Sequence, residues 1–313
     1  MMCAVPLELS PPAGPSAQAT MERAGSENFP VAMRVLARSD RRRLLAVYGF
    51  ARLADELGDE LAGDRPAALD WLEHELNRAY AGEARHPLLV RLQATLAECP
   101  LPREPFVRLI EANRVDQRVA RYRTWEQLRG YCELSANPVG ELVLAVFGLA
   151  TPERIALSDE VCTALQLAEH LQDVGEDLAR GRVYLPEEDL ARFGCSGEEL
   201  ARLGAHAGLG VDLRGVPAGS PAHGEDFKRT ADRLREAISF EVARGRELLL
   251  AGVPLVAGAS GRPKLALAAF VAGGRAALDG IARARFDVLD GVAQASGARR
   301  LRALAGVLIE SRA

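Results

Sequence analysis

Apolar residues recur along this chain at the spacing of amphipathic helices, and one stretch, Leu44 to Leu61 (LLAVYGFARLADELGDEL), is apolar around most of its circumference. At about 100° per residue, Tyr48, Arg52, Asp55 and Asp59 fall in a stripe roughly 60° wide, opposite Ala46, Phe50, Leu53, Leu57 and Leu61. A helix with flanks this apolar is normally buried, and carboxylates on it need compensating charge, because an unpaired buried ion is expensive. Arg52 would partner one aspartate; the other must face a cavity, a metal or water. A second stretch, Ala164 to Leu178 (ALQLAEHLQDVGEDL), sets Gln166, Glu169, His170, Asp173 and Asp177 in a stripe about 100° wide, away from Leu167, Leu171, Val174 and Leu178. One i, i+4 acidic pair is usually a solvated face. Two, each opposite an unbroken apolar stripe, would line one cavity with four or five carboxylates if the stripes face each other. Hard divalent cations take such oxygen ligands and often bridge to substrate phosphates.

The rest of the pattern is helical as well. Helices are expected from Pro66 to Tyr80, after His86-Pro87, from Glu104 to Gln117, from Trp125 to Ala150, and over about 225–251, 263–281 and 298–310. Period-two runs of β-branched residues are scarce. The expected fold is therefore all-α, a single-domain bundle with a central cavity. The Trp125–Ala150 helix carries Asn137-Pro138-Val139-Gly140 in its middle, where proline removes a hydrogen bond and glycine weakens the helix. That kink either makes room for an extended apolar ligand or lets two helices pack closely at Gly140. Residues 1–25, rich in Pro, Ala, Gly and Ser, read as a loosely held tail before one helical domain over 26–313, and 204–224 reads as a mobile loop.

Composition narrows the function. The 313 residues are 48% hydrophobic, ample for a sizeable core, and the net charge of −4 comes from interspersed acids and bases without a basic stripe. Nucleic acid is thus not an expected partner. The five cysteines show no CxxC spacing, so neither a disulfide framework nor a zinc site is indicated and a reducing cytoplasm is expected. No signal peptide is evident at the N-terminus, and no run of 18 apolar residues is present, so no transmembrane segment is expected. Docking on a membrane as a peripheral protein stays open.

Five stretches carry a family resemblance: ENFPVA (Glu27 to Ala32), YGFARLADELGDE (Tyr48 to Glu60), DQRVARY (Asp116 to Tyr122), YCELSANPVG (Tyr131 to Gly140) and QDVGEDLARGRVYLP (Gln172 to Pro186). In these the chain resembles the squalene and phytoene synthases, from about Glu27 to Leu289, and most closely the bacterial hydroxysqualene branch. The resemblance implies a class I isoprenoid synthase bundle, Mg²⁺ as cofactor and a prenyl diphosphate as substrate. It implies that Asp55, Asp59, Glu169, Asp173 and Asp177 hold the metal, with Tyr48 and Arg52 beside them. It places Phe29, Tyr131, Ser135, Val139, Gly140, Gln166, Arg182 and Tyr184 along the substrate, and Asp116 and Tyr122 near the reactive site.

A diphosphate leaves only when its charge is neutralised, which is the role of the cations, with Arg52 and Arg182 completing the clamp. The carbocation left behind needs a dry, apolar pocket. The implied reaction is ionisation of presqualene diphosphate, rearrangement, and capture of one water to give hydroxysqualene. No GxGxxG follows a strand, so a separate hydroxysqualene reductase is the implied downstream partner. Condensing relatives usually have Asn at 169 and Arg at 172. Gln172 agrees with the hydroxysqualene branch, whereas Glu169 agrees with neither. Two alternatives remain: a synthase that condenses two prenyl diphosphates, and a non-catalytic assembly factor on the same fold, against which all four aspartates and Arg52 stand. Arg275, Arg283 and Arg285 either approach the diphosphate or form surface ion pairs.

Overall fold

The computed structural model describes residues 18, 20, 21, 35–207, 221–292 and 295–311, the side chains of 205–207 and 221–224 excepted. The described residues form helices and connections without a strand. Along the chain these are α1 (Arg38–Asp55) with a π-turn (Glu56–Glu60), α2 (Arg65–Ala81), α3 (Pro87–Glu98), α4 (Glu104–Asp116), α5 (Trp125–Ser135) and α6 (Asn137–Val146). There follow α7 (Pro152–Gln172), α8 (Val174–Ala179), α9 (Glu187–Arg192), α10 (Gly197–Ala207), α11 (Pro221–Ala251), α12 (Val253–Ala257), α13 (Gly261–Arg283) and α14 (Gly297–Glu310). Apart from residues 18, 20 and 21, the tail lies outside the described residues, as do the ENFPVA stretch, Phe29 included, and 208–220 of the expected loop. Helices α10 and α11 take up the two ends of that loop.

The apolar stripes build one core. Phe50 of α1 meets Phe106 of α4 edge-on at 4.9 Å, and Leu44, Leu57, Leu69, Leu72, Leu89 and Ile110 are fully buried around them. Helices α7, α11 and α13 form the other half, where Leu167 and Leu278 close around Gly245 and Leu165 and Leu249 around Gly274. Thr124 and Thr151 cap α5 and α7 by accepting from Gln127 N and Arg154 N.

The Trp125–Ala150 segment is two helices rather than one kinked helix. Ala136 adopts φ −116°, and Pro138 then sits in the first turn of α6, where its missing N–H is not needed. Helix α13 is long and apolar enough to cross a membrane by length and composition, yet 56% of its apolar window is buried in the bundle, as in a core helix.

Candidate active site

Helix α1 ends at Asp55, and the first acidic stretch continues as the π-turn Glu56–Glu60. The wider turn moves Asp59 off the face it would hold on a continuous α-helix. The charge pairing changes accordingly. Asp55 and Asp59 are exposed, while Glu56 is buried. Arg52 lies 3.4 Å from Glu56 and 2.5 Å from Glu60, and Thr20 donates to Glu56 at 2.7 Å. The compensating charge of Arg52 therefore serves the glutamates and not an aspartate, contrary to expectation. Tyr48, one turn earlier, is buried.

Helix α4 closes over this turn. Asn113 Nδ2 donates to Asp55 Oδ1 at 3.3 Å and to Leu109 O at 3.1 Å. Gln117 Nε2 donates to Gly58 O at 2.8 Å and to Asn113 O at 3.0 Å. A Cβ on Gly58 would stand 2.0 Å from Asn113 Oδ1, so only glycine permits the approach.

The second acidic stretch is broken rather than widened. Helix α7 stops at Gln172, Asp173 takes φ −98° and ψ 6°, and α8 resumes at Val174. His170 leaves the expected polar stripe. It is buried, stacked on Tyr184 with ring centroids 4.2 Å apart, and burial pushes its pKa down to about 3, so the ring is neutral. Asp177 is half-buried in a recess with Arg182 and Tyr184. Burial, and then the Asp173 charge, push its carboxyl up to about 7.

The two stretches meet at Arg182. The chain around Arg182 is laid against 120–123 by Val183 N to Ala120 O (2.9 Å) and Glu187 N to Tyr122 O (2.9 Å). Arg182 Nη2 reaches Asp59 Oδ1 at 3.0 Å. Burial opposes its charge, but Tyr184, Asp59 and Asp116 outweigh burial and hold its pKa above the ordinary value. Asp116 accepts from Tyr131 OH at 2.6 Å and Tyr184 OH at 3.0 Å. Burial raises its pKa, against those two hydrogen bonds and the Arg182 charge.

Beside this patch lies a cavity of about 660 Å³. Ser135, Val139, Gly140 and Gln166 line one side, and Phe270, Gly273, Gly274 and Ala277 of α13 face them. Glu169, Gln172 and Asp173 border one end, and Leu255 and Leu267 belong to the apolar wall. The α7 wall from Ser158 to Gln172 spans 15 residues, or about 21 Å of helix. At Gly140 close helix packing and a cavity wall coincide. It lines the cavity, and a Cβ there would meet Ser158 Oγ at 2.3 Å and Cys162 Sγ at 2.5 Å.

The expected single ring of four or five carboxylates is not the arrangement found. Glu169 and Asp173 border the cavity, Asp177 sits in the recess with Arg182, Asp59 stands across Arg182, and Asp55 is held by Asn113. Among the described residues no three His, Cys, Asp or Glu side chains are close enough to share a metal ion. The donor chemistry still fits a hard cation, being carboxylate oxygen throughout. Mg²⁺ commonly takes one or two protein carboxylates and completes its shell with phosphate and water. Arg275 forms a two-point pair with Glu310 at 2.9 and 2.7 Å, the surface alternative.

Sequence patterning missed Glu56 as the buried acid, the grip of Asn113 and Gln117 on the π-turn, and the α13 wall. The Gly273-Gly274 doublet in an apolar helix is a legible signal for that wall. A π-turn has no comparable signature.

The family model described as squalene/phytoene synthase matches residues 22–300. The chain belongs to the squalene/phytoene synthase family. Enzymes of this family process prenyl diphosphates. Among similar family members, a hydroxysqualene synthase from Rhodopseudomonas palustris is 40% identical over 178 residues, 56% of this chain and 60% of that protein. A 15-cis-phytoene synthase from Synechocystis is 33% identical over 235 residues, 71% of this chain and 62% of that protein. The matched segments thus span less than two thirds of either curated relative. The crystal structure of squalene synthase HpnC from Alicyclobacillus acidocaldarius superposes with a TM-score of 0.73 at 42% identity, covering 87% of this chain and 93% of that one. A dehydrosqualene synthase at 21% identity and TM-score 0.76 shares the all-α isoprenoid synthase fold.

Proposed function

We propose that the protein is a hydroxysqualene synthase, converting presqualene diphosphate and water into hydroxysqualene and diphosphate. The observation that carries this is the join between a long apolar cavity and the patch where both acidic stretches converge on Arg182. Asp55, Asp59, Glu169, Asp173 and Asp177 would hold Mg²⁺. When bound, the cations act as Lewis acids that neutralise the departing diphosphate. Arg182, already poised between Asp59 and Asp116, binds diphosphate oxygens by charge-assisted hydrogen bonds. Asp116 holds the Tyr131 and Tyr184 hydroxyls in fixed positions beside the same patch.

The cavity then does the selective work. Val139, Gly140, Phe270 and their neighbours seat the isoprenoid chains and keep water from the cation while it rearranges. One water finally adds to the cation and gives up a proton, leaving the alcohol. Identity of 40% to two hydroxysqualene synthases, and Gln172 at the cavity mouth, support this reading. A second reading, condensation of two prenyl diphosphates, is favoured by the phytoene synthase relative, which aligns over the larger share of the chain.

The test is a product assay with Mg²⁺ and no nicotinamide, offering presqualene diphosphate and farnesyl diphosphate separately. Hydroxysqualene from presqualene diphosphate alone is expected. Consumption of farnesyl diphosphate instead would move the protein to the condensing reading. Asp55→Ala and Asp173→Ala should abolish Mg²⁺-dependent turnover while retaining helicity.

A further inference from the structure

The first acidic stretch departs from α geometry at the turn that joins its two aspartates. A π-turn is rare and lies frequently at a functional site. Here the holding groups are visible. Gln117 donates to Gly58 O, while Arg65 donates to Asp59 O at 2.7 Å and to Leu61 O at 3.0 Å. Asn113 bonds the Asp55 carboxylate and fills the space a Gly58 side chain would need. Return of the turn to α-helix would rotate Asp59 from its present direction, in which Arg182 reaches it at 3.0 Å. We propose that Asn113 and Gln117 of α4 are positioning residues that hold the π-turn open and so set Asp59 against Asp55 and Arg182.

The clamp is made of neutral amides. Its contribution is geometric and adds no charge to the cation site. The inference rests on the proposed cation-binding role of the acidic stretches, and the two can fail separately.

The probe is Mn²⁺ with inorganic diphosphate, titrated into the full chain and followed by electron paramagnetic resonance well below the melting temperature. Gln117→Met keeps the size of the side chain and removes the donor. Asn113→Ala removes the bond to Asp55. Each is expected to raise the Kd for Mn²⁺ at least tenfold while circular dichroism shows the helices intact. A purely structural role would lower the melting temperature and leave that Kd alone. If Asp59→Asn weakens Mn²⁺ binding but both α4 variants, folded, bind within threefold of the parent, the positioning role is overturned and the cation role stands. If the parent does not bind Mn²⁺ with diphosphate, or Asp59→Asn binds as the parent does, both fall together.

Discussion

Asp55–Asp59 and Asp173–Asp177 share a four-residue spacing and an internal glycine, yet the backbone widens at the first and breaks at the second. Each irregularity admits a neighbour at the glycine. At Gly58 the neighbour is the Asn113 side chain, 2.0 Å from where a Cβ would be; at Gly175 it is the Leu289 carbonyl, 2.1 Å away. Their anchoring differs too. The neutral amides of Asn113 and Gln117 grip the first stretch, together with Arg65, which donates to two of its backbone carbonyls. Beyond the second, α9 is tied to α11 by charge, with Arg244 Nη1 donating to Asp189 at 2.8 Å and to buried Glu241 at 2.6 Å. Equal spacing of paired carboxylates therefore does not mean equal local geometry. The neighbour that fits against the glycine decides how the carboxylates are aimed.

The arginines sharpen the contrast most. Arg182, from the second stretch, reaches across to Asp59, whereas Arg52, from the first, is committed to Glu56 and Glu60. Arg182→Ala should cut turnover of presqualene diphosphate by about 10²–10³-fold, equivalent to about 2.7–4 kcal/mol of transition-state stabilisation. Arg52→Ala should act chiefly on stability, by about 3 kcal/mol, because it strands Glu56 in the core without its cation. Steady-state kinetics and urea unfolding on both variants test the division. A large kinetic loss in Arg52→Ala at full stability would reverse the roles.

The glycines come next. Gly175→Ala drives a methyl group into backbone, which cannot rotate away, and should cost about 3 kcal/mol. Gly58→Ala meets a side chain instead and should cost less, about 2 kcal/mol, as Asn113 shifts and the π-turn loses its grip. Thermal unfolding of the pair gives the order directly. Equal losses would mean that α4 is as unyielding as the Leu289 backbone.

The helical class and the two acidic stretches were legible, because burial imposes a 3.6-residue period on the sequence, whereas Ser135, Val139, Gly140 and Gln166, which line one cavity, were singled out by the family resemblance and not by the period. The pairing of Arg52 was not. On an ideal helix Asp55 and Glu56, the i+3 and i+4 neighbours of Arg52, are both within its reach, and the projection does not say which of them is buried; the π-turn after Asp55 then shifts Asp59 and Glu60 from their projected places. His170 was misread for a related reason: Tyr184, which buries it, arrives from a separate segment. Local periodicity records what one helix presents, and the site is made where separate segments meet.

The charged anchor beyond the second stretch gives the smallest effect and the clearest separation of the two regions. Burial, reinforced by Asp189 and opposed by Arg244, pushes the Glu241 carboxyl from 4.5 up to about 8. The folded chain thus keeps a proton that the unfolded chain releases above about 4.5. The associated stabilisation is fully present below that value and is lost as pH rises through about 8. Glu241→Gln keeps the shape and removes the titration. Relative to the parent its stability should improve by at least about 1 kcal/mol between pH 5 and pH 9. Gln117→Met, which touches only the neutral clamp, should shift stability by the same amount at both pH values. Urea unfolding at pH 5, 7 and 9 reads both slopes. A parallel pH dependence in Glu241→Gln and the parent would show that Glu241 is ionised in the fold, and that the two acidic stretches are anchored more alike than their hydrogen bonds suggest.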